Sequence, residues 1–312
     1  MTPVRTVFIG SGGFGIPALR RLVARDDIEL VGAVTAPPKP VGRRQELTPT
    51  EVGRFARDQR MEPVLTPRRL RDPEAIDAVR RLEPELAVLA DYGQIVPAVL
   101  LELPYGALNL HPSLLPRHRG ASPIPAAILA GDVETGVTLM RMDPGLDTGP
   151  IVAVRRTPLD GTETQESLLS SLAAVAGELL DATLEPWLRG ELGESPQPAD
   201  GATLTRPLKR GAGRLDTARS VAELERQVRA YAGWPATFIE TDRGRLIVHE
   251  AAIGPSAATD VAGTIVADGD GLALVAMDGR LRLRRVQPAG GRSMSAAEYR
   301  HGRRELPTHQ VD

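Results

Sequence analysis

Residues 4–15 read VRTVFIGSGGFG, a short apolar run that ends in a turn rich in glycine. The next segment, 17–24, has apolar side chains at helical spacing, with Leu19 and Leu22 on one face. Further along, Leu86–Ala90 is apolar throughout, as the central strand of a parallel sheet is. This strand–helix–strand alternation predicts an α/β domain with a Rossmann-like, doubly wound and mainly parallel sheet.

The pattern changes in the second part of the chain. Thr162-x-x-Gln165 predicts a capping box at the start of a long helix. The segment 190–205 is rich in Gly, Pro and small polar residues, which predicts a linker. We therefore expect one domain over 1–189 and another over 206–312.

The second domain is predicted to be a small antiparallel barrel. Ser220-x-x-Glu223 predicts another capping box and a short helix. Short strands separated by turn residues follow, which is typical of such a barrel. The predicted strands cover 236–241, 245–252, 263–267, 272–277 and 280–286.

Composition excludes several classes of protein. The 312 residues are enough for two ordinary domains, and the chain contains no cysteine, which excludes disulfides, a thiolate nucleophile and Cys-ligated metals. The longest clearly apolar runs are too short to span a bilayer, and the first residues do not resemble a signal peptide. We expect a cytoplasmic protein without a membrane partner.

Charge gives only a weak indication of a partner. The formal net charge is −2, so no global positive field indicates nucleic-acid binding. From residue 206 onward, however, 17 Arg and Lys stand against 13 Asp and Glu. This excess is compatible with a polyanionic partner, and solvated surface charge explains it equally well.

The glycine-rich turn Gly10–Gly15 matches G-x-G-x-x-G between a strand and a helix. A dinucleotide enzyme uses such glycines to bring backbone N–H groups to the pyrophosphate. The second strand ends near Thr35 without the acidic residue that would bind the ribose. A tight structural turn is the favoured interpretation. An NADP oxidoreductase stays open because Arg43 and Arg44 lie downstream.

Asn109 and His111 stand two residues apart on a predicted strand that Pro112 ends. Residues at this spacing point to the same face, and the carboxyl end of a strand is where open α/β sheets bind ligands. An amide beside an imidazole can donate hydrogen bonds to a developing oxyanion. Taken alone, a histidine at a strand end is more often structural.

Three loops contain polar residues that could join this pair: Asp91–Gln94, Ser113–Gly120 and Asp143–Pro150. Each taken alone is compatible with an ordinary turn. If the strands before them are all parallel, the three loops meet at one edge of the sheet. Their convergence would make a catalytic site.

These same segments resemble a known family. Asn109-x-His111, the run Ser113–Gly120 and the run Met142–Gly149 closely resemble the methionyl-tRNA formyltransferase family, within the folate-dependent formyltransferases. The resemblance extends over nearly the whole chain, including Tyr92–Pro97 and Ser293–Ala297. It implies that the C-terminal barrel is an OB-like tRNA-binding domain.

The resemblance implies transfer of a formyl group from 10-formyltetrahydrofolate to the amine of methionyl-tRNA. Asn109 and His111 would stabilise the oxygen of the tetrahedral intermediate. Asp147 would orient His111, favour its protonated form, and help remove the amine proton. No metal is needed, because the donor is already activated by its leaving group. The enzyme is expected to be a monomer.

The resemblance also implies the binding residues. Those expected to line the folate site are Leu89, Tyr92, Gly93, Gln94, Ser113, Leu114, Leu115, Pro116 and Asp143. Those expected to contact tRNA are Lys39, Arg43, Arg44, Lys209, Arg210 and Arg214.

One loop departs from the family pattern. Residues 38–46 read PKPVGRRQE, where the family usually has a sequence like D-R-P-x-G-R-G-K-K. The change motivates an alternative acceptor, such as an amino sugar on a nucleotide, although the basic C-terminal domain argues against it. An NADP oxidoreductase would leave Asn109, His111 and Asp147 without a role. A non-catalytic tRNA-binding protein would not need Asn109 and His111.

Overall fold

The computed structural model describes residues 2–42, 44–302 and 305–308. The chain divides into two compact units. The first comprises Met1–Pro123, Glu134–Pro158 and Leu169–Thr205, and the second comprises Ile124–Val133, Leu159–Leu168 and Arg206–Asp312. Two short segments from the middle of the chain thus belong to the second unit, which nothing in the sequence indicated.

The elements up to residue 205 alternate between strands and helices. In chain order they are β1 (Val4–Gly10), α1 (Ile16–Val23), β2 (Ile28–Val34), β3 (Lys39–Val41), β4 (Glu46–Thr48), α2 (Glu51–Asp58), β5 (Val64–Leu65), α3 (Pro73–Arg80), β6 (Leu86–Ala90), α4 (Ala98–Leu101), β7 (Ala107–His111), β8 (Arg119–Gly120), α5 (Pro123–Ala130), β9 (Glu134–Arg141), β10 (Ile151–Pro158), α6 (Gln165–Leu188) and β11 (Leu204–Thr205).

The first unit is built on a seven-stranded sheet with the order β10-β9-β7-β6-β1-β2-β5. The chain builds outward from β1 to β5, then returns to the other side of β1 and continues from β6. This reversal is the doubly wound arrangement that the sequence predicted. The five neighbouring strands β5, β2, β1, β6 and β7 are parallel. Strand β9 pairs antiparallel with β7, and β10 pairs antiparallel with β9. The switch point between β1 and β6 is where such sheets bind ligands.

The central strands are held by burial of their side chains. All five residues of β6 are buried, as expected for a strand covered on both faces. Val7, Ile9 and Val34 pack with Leu89 in one apolar cluster. Each buried side chain of this size contributes about 1.5–3 kcal/mol relative to exposure, which fixes the register of the strands beneath the site.

Helix α6 is long and apolar enough, by length and composition, to cross a membrane, and half of its most apolar window is buried inside the protein. The sequence predicted a long helix here, but its short apolar runs did not indicate this length of apolar helix. Leu172, Ala176 and Leu180 have no exposed surface. Burial of this kind is typical of a core helix in a globular protein.

The second unit contains a curled six-stranded antiparallel sheet, half of a barrel, as predicted for the C-terminal domain. The elements after residue 205 are α7 (Val221–Ala230), β12 (Thr237–Thr241), β13 (Gly244–Gly254), β14 (Ile265–Asp268), β15 (Gly271–Val275), β16 (Arg280–Pro288), β17 (Met294–Ser295) and α8 (Ala296–His301). The strand order in the sheet is β12-β13-β16-β15-β14, with β17 paired to β16.

The two predicted capping boxes have different outcomes. Ser220 Oγ accepts from the N–H of Glu223, and the Glu223 carboxylate accepts from the N–H of Ser220, which confirms the box before α7. Hydrogen bonds from Ser220 lower the pKa of Glu223 to about 2. The box at Thr162 is wrong, because Thr162 binds Asp160 instead. Helix α6 is capped by Thr164, whose Oγ1 accepts from the N–H of Ser167 at 3.2 Å.

Candidate active site

Asn109 and His111 lie on β7, as predicted. His111 is buried, with 4% of its surface exposed. Its Nε2 lies 2.9 Å from the carbonyl oxygen of His118. A carbonyl oxygen only accepts, so this nitrogen carries a proton and donates. The other ring nitrogen, Nδ1, is 3.7 Å from Oδ2 of Asp147. The structure therefore brings the predicted His111–Asp147 pair together.

Burial decides the charge of His111. Removal from water lowers the pKa of His111 below its ordinary value, and the nearby carboxylate of Asp147 raises it without compensating fully. Asp147 thus acts in the expected direction, towards the protonated form, and burial opposes it. In the neutral form of the ring, the bond to His118 places the proton on Nε2 and leaves a lone pair on Nδ1.

Asn109 is partly exposed, in contrast to the buried Leu108 and Leu110 on either side of it. Within the described ranges of the chain, its side-chain amide makes no hydrogen bond. The amide can therefore donate to an incoming group without giving up a partner. This is the property that an oxyanion-binding residue needs.

Asp147 reaches His111 by a route that the sequence did not indicate. Strand β9 is antiparallel to β7, pairing Arg141 with Leu108 and Thr138 with His111. The loop after β9 therefore starts beside the amino end of β7, where the N–H of Met142 donates to the carbonyl of Ala107 at 2.8 Å. The condition that all the preceding strands are parallel fails for β9, so this loop leaves the other edge of the sheet. The loop turns back to bring Asp147 to His111.

The carboxylate of Asp147 is held by a backbone donor. The N–H of Gly120 donates to Oδ2 of Asp147 at 2.8 Å. Asp147 has a φ of +52°, and Gly120 has a φ of +95°, which glycine adopts without strain. The segment 118–120 thus binds both members of the pair, His111 through the carbonyl of His118 and Asp147 through this N–H.

The predicted folate residues on the loop after β7 are largely turned inward. Ser113, Leu115 and Pro116 are buried, and Ser113 Oγ donates to the carbonyl of Arg117 at 2.7 Å. Leu114 is partly exposed. These buried residues shape the loop. A ligand would reach the backbone of this loop and the side chain of Leu114.

Two other predicted folate residues, Leu89 and Asp143, lie beside the catalytic candidates. Leu89 is buried on β6 and pairs in register with Asn109. Asp143 accepts from Thr148 Oγ1 at 2.8 Å and from the N–H of Gly145 at 3.0 Å. Its carboxylate therefore closes the turn that carries Asp147.

A cavity of about 650 Å³ opens at the switch point between β1 and β6. The segment Tyr92–Gln94 and Lys39 line it, so two sets of predicted binding residues share this space. Burial raises the pKa of Tyr92 to about 12. The amide of Gln94 accepts from the N–H of Leu70 at 2.8 Å, so its side chain holds a neighbouring loop. Asn109, His111 and Asp147 do not line the cavity, since they belong to β7 and the loop after β9.

The glycine-rich turn faces carboxylates. A Cβ on Gly12 would overlap the carboxylate of Asp91, and one on Gly13 would approach that of Glu51 within 2.5 Å. Partial desolvation and the nearby Glu51 raise the pKa of Asp91. Two acidic groups in this position would repel a pyrophosphate, so the structure favours the interpretation as a tight turn over a dinucleotide site.

The predicted tRNA residues belong to different units. Lys39 and Arg44 are exposed in the first unit, on and after β3, while Arg43 lies outside the described residues. In the second unit Lys209 and Arg210 are exposed, and the guanidinium of Arg210 lies 6.0 Å from the ring centre of Trp234. Arg214 is partly buried in that unit.

The geometry of the site agrees with sequence comparisons. The family profile described as "Formyl transferase" matches residues 4–184, and "Formyl transferase, C-terminal domain" matches 207–304. The chain belongs to the formyl transferase family. In the described part of this formyl transferase, no cluster of three or more His, Asp or Glu could hold a metal ion.

Curated relatives cover nearly the whole of this formyl transferase. "Methionyl-tRNA formyltransferase" of Myxococcus xanthus is 42% identical over 313 residues, covering 99% of this chain and 98% of the relative. That of Halorhodospira halophila is also 42% identical, covering 98% and 99%. Solved structures confirm the fold. The sugar 3N-formyl transferase WlaRD, studied with dTdp and 5-N-Formyl-THF, has a TM-score of 0.67 at 15% identity, covering 91% of this chain and 97% of its own.

The sequence missed one group of residues in this formyl transferase. Gln197, Thr203 and Thr205 lie in the predicted linker and contact the loops of the site. Their partners are about 50 to 90 residues away along the chain, so no local pattern could indicate them.

Proposed function

We propose that this formyl transferase moves the formyl group of 10-formyltetrahydrofolate to the α-amine of methionyl-tRNA. The observation that carries the proposal is the approach of Asp147 to His111, two residues from Asn109 on the same strand, in a chain that belongs to the formyl transferase family. The names of the full-length relatives support methionyl-tRNA as the acceptor. The folate ligand named for WlaRD supports a folate-linked donor.

The reaction starts when the amine nitrogen attacks the formyl carbon. An N–C bond forms, and the π pair of the C=O moves onto the oxygen. The unpartnered amide of Asn109 donates to this oxygen. The lone pair on Nδ1 of neutral His111 accepts the proton that the amine loses, directly or through water. His111 thus acts first as a base, because its Nε2–H already donates to His118.

The imidazolium formed in this step faces Asp147, whose carboxylate 3.7 Å away favours the charged ring. Its Nδ1–H can then donate to the oxyanion, which is the role that the sequence suggested. The bond from the formyl carbon to N10 of the folate breaks as the carbonyl re-forms, and N10 takes up the proton from Nδ1 of His111, directly or through water, which returns His111 to its neutral form. The products are tetrahydrofolate and the formylated amine.

The cavity beside the glycine-rich turn receives the acceptor end in this proposal. Asp91 and Glu51, which lie beside the glycine-rich turn, favour a positively charged or hydrogen-bonding amine there. Lys39, Arg54 and Arg68 also line the cavity and favour the phosphates of the acceptor end. Tyr92–Gln94 lines the same cavity, next along the chain from the strand that pairs with Asn109. The two substrates would meet beyond this segment, at Asn109 and His111 on the neighbouring strand β7.

We further propose that the enzyme works in the cytoplasm, where tRNA is aminoacylated, and without a membrane partner. One copy of the chain holds all three catalytic candidates, which supports activity as a monomer.

A competition assay tests the function. Tetrahydrofolate release from 10-formyltetrahydrofolate is followed with methionyl-tRNA, free methionine or a nucleotide-linked amino sugar as acceptor. We expect turnover with methionyl-tRNA, reduced at least about 100-fold in His111→Ala and in Asn109→Ala, with little change in folate affinity. Preference for the amino sugar would overturn the acceptor. Saturable NADPH binding, with no formyl transfer, would overturn the reaction.

A further inference from the structure

The segment 190–205 is packed onto the catalytic unit. Strand β11 pairs in parallel with β8. The hydroxyl of Thr203 accepts from the N–H of His118 at 2.8 Å, and that of Thr205 donates to the carbonyl of Arg119 at 2.9 Å. These contacts attach the segment to the loop that binds both His111 and Asp147.

Gln197, midway along this segment, uses both ends of its amide. Its Nε2 donates to the carbonyls of Asp147 and Gly149, each at 2.8 Å. Its Oε1 accepts from Nε of Arg119 at 2.9 Å and from Nη2 at 2.6 Å. Two N–H groups of the guanidinium thus converge on one amide oxygen, and both bonds are charge-assisted.

These bonds join the two loops that meet at His111. Arg119 stands between His118, whose carbonyl binds His111, and Gly120, whose N–H binds the Asp147 carboxylate. The amide of Gln197 therefore spans from the backbone of Asp147 to the segment that holds the Asp147 carboxylate and the His111 ring.

We propose that Gln197 is a positioning residue that holds the Asp147 carboxylate against Nδ1 of His111. It acts through the backbone of Asp147 and through Arg119, and it does not touch the reacting atoms. Without it, the loop 147–149 loses two donors and the carboxylate moves away from the ring. A displacement of about 1 Å in a catalytic group can cost about 100-fold in rate.

Gln197→Met tests the proposal, since it keeps the length of the side chain and removes all four hydrogen bonds. The main readout is the pKa of His111, followed by NMR. Asp147 and His118 are the titratable groups that face the ring. A weaker influence of the Asp147 carboxylate should lower this pKa by about 0.5 to 1. Turnover should fall about 10- to 100-fold with the folate KM nearly unchanged.

The chain offers a matched control in Gln227. Its Nε2 donates to the carbonyls of Ala212 and Arg214 at 2.9 and 3.0 Å, and its Oε1 accepts from Arg219 at 3.2 Å. This is the same chemistry in the second unit. Gln227→Met should lower the melting temperature and leave both the His111 pKa and kcat unchanged. Equal effects of the two variants on kcat would reduce Gln197 to a stabilising residue and overturn the proposal.

A double variant tests the route of action. If Gln197 acts through Asp147, then Asp147→Asn with Gln197→Met should give the same His111 pKa as Asp147→Asn alone. Additive changes would contradict the proposal. If Gln197→Met does not fold, Arg119→Met removes only the two donors to Oε1 of Gln197 and should lower the same pKa.

The activity readout rests on the proposed function, whereas the titration does not. A shifted His111 pKa in a protein that does not formylate methionyl-tRNA would keep the positioning role and reject the function. An unshifted His111 pKa in Gln197→Met, in a protein that formylates methionyl-tRNA, would reject the positioning role and keep the proposed function.

Discussion

Replacement of Asp147 by asparagine tests the electrostatic pairing at the site. The amide keeps an oxygen for the N–H of Gly120, which donates to Oδ2 at 2.8 Å, so the loop should keep its shape. What disappears is a negative charge 3.7 Å from Nδ1 of His111. At an effective dielectric of about 20, such a pair interacts by about 4.5 kcal/mol, which corresponds to roughly 3 pKa units as an upper bound. We expect the His111 pKa to fall by about 1 to 3.

The pKa of His111 is read from an NMR pH titration. The protein has five histidines, and the resonance missing in His111→Gln identifies the relevant one. Turnover should fall about 10²- to 10⁴-fold, because the imidazolium formed during transfer loses its counter-charge. Asp181→Asn, which removes an exposed carboxylate paired with Arg25, is the control and should change neither quantity. An unchanged or raised His111 pKa in Asp147→Asn would refute the pairing.

Three further outcomes are expected. Gly120→Ala places a side chain at a φ of +95° and against the carbonyl of Thr205. It should destabilise the fold by about 1–3 kcal/mol and lower kcat. An unchanged melting temperature would contradict this. Burial lowers the pKa of His111 in the folded state, so below pH about 6.5 the unfolded chain binds a proton that the folded protein does not. The free energy of unfolding should therefore fall as the pH drops from about 6.5 towards the folded-state pKa. Denaturant titrations of His111→Gln, which has no titrating group at this position, should show a smaller fall. Arg210→Ala should weaken tRNA binding and reduce the slope of log K against log salt by about 1, whereas Arg156→Ala should leave both unchanged.

The fold was largely predictable because it depends on local patterns. The apolar run and glycine turn at 4–15 predict β1 and the turn after it, and Leu86–Ala90 is a central strand. Residues two apart on a strand point to the same face, which places Asn109 and His111 together on β7. Such signals lie within a few residues of one another, so the sequence displays them directly.

The charge of His111 and the course of the Asp147 loop were not predictable in this way. Strand β9 runs antiparallel to β7, with Thr138 paired to His111. The residues of a strand do not by themselves indicate its direction in the sheet. The pKa of His111 depends on how much protein surrounds the ring, which only the packed structure determines.

The sequence by itself determined which residues could perform the chemistry, because Asn, His and Asp must be present for it to occur. Tertiary structure alone decided how they are held. Gln197 stands 50 residues from Asp147 in the chain and 78 from Arg119, yet one amide group binds both. Hydrogen bonds at that separation form only after the strands and loops have packed, since they require distances that no local preference sets.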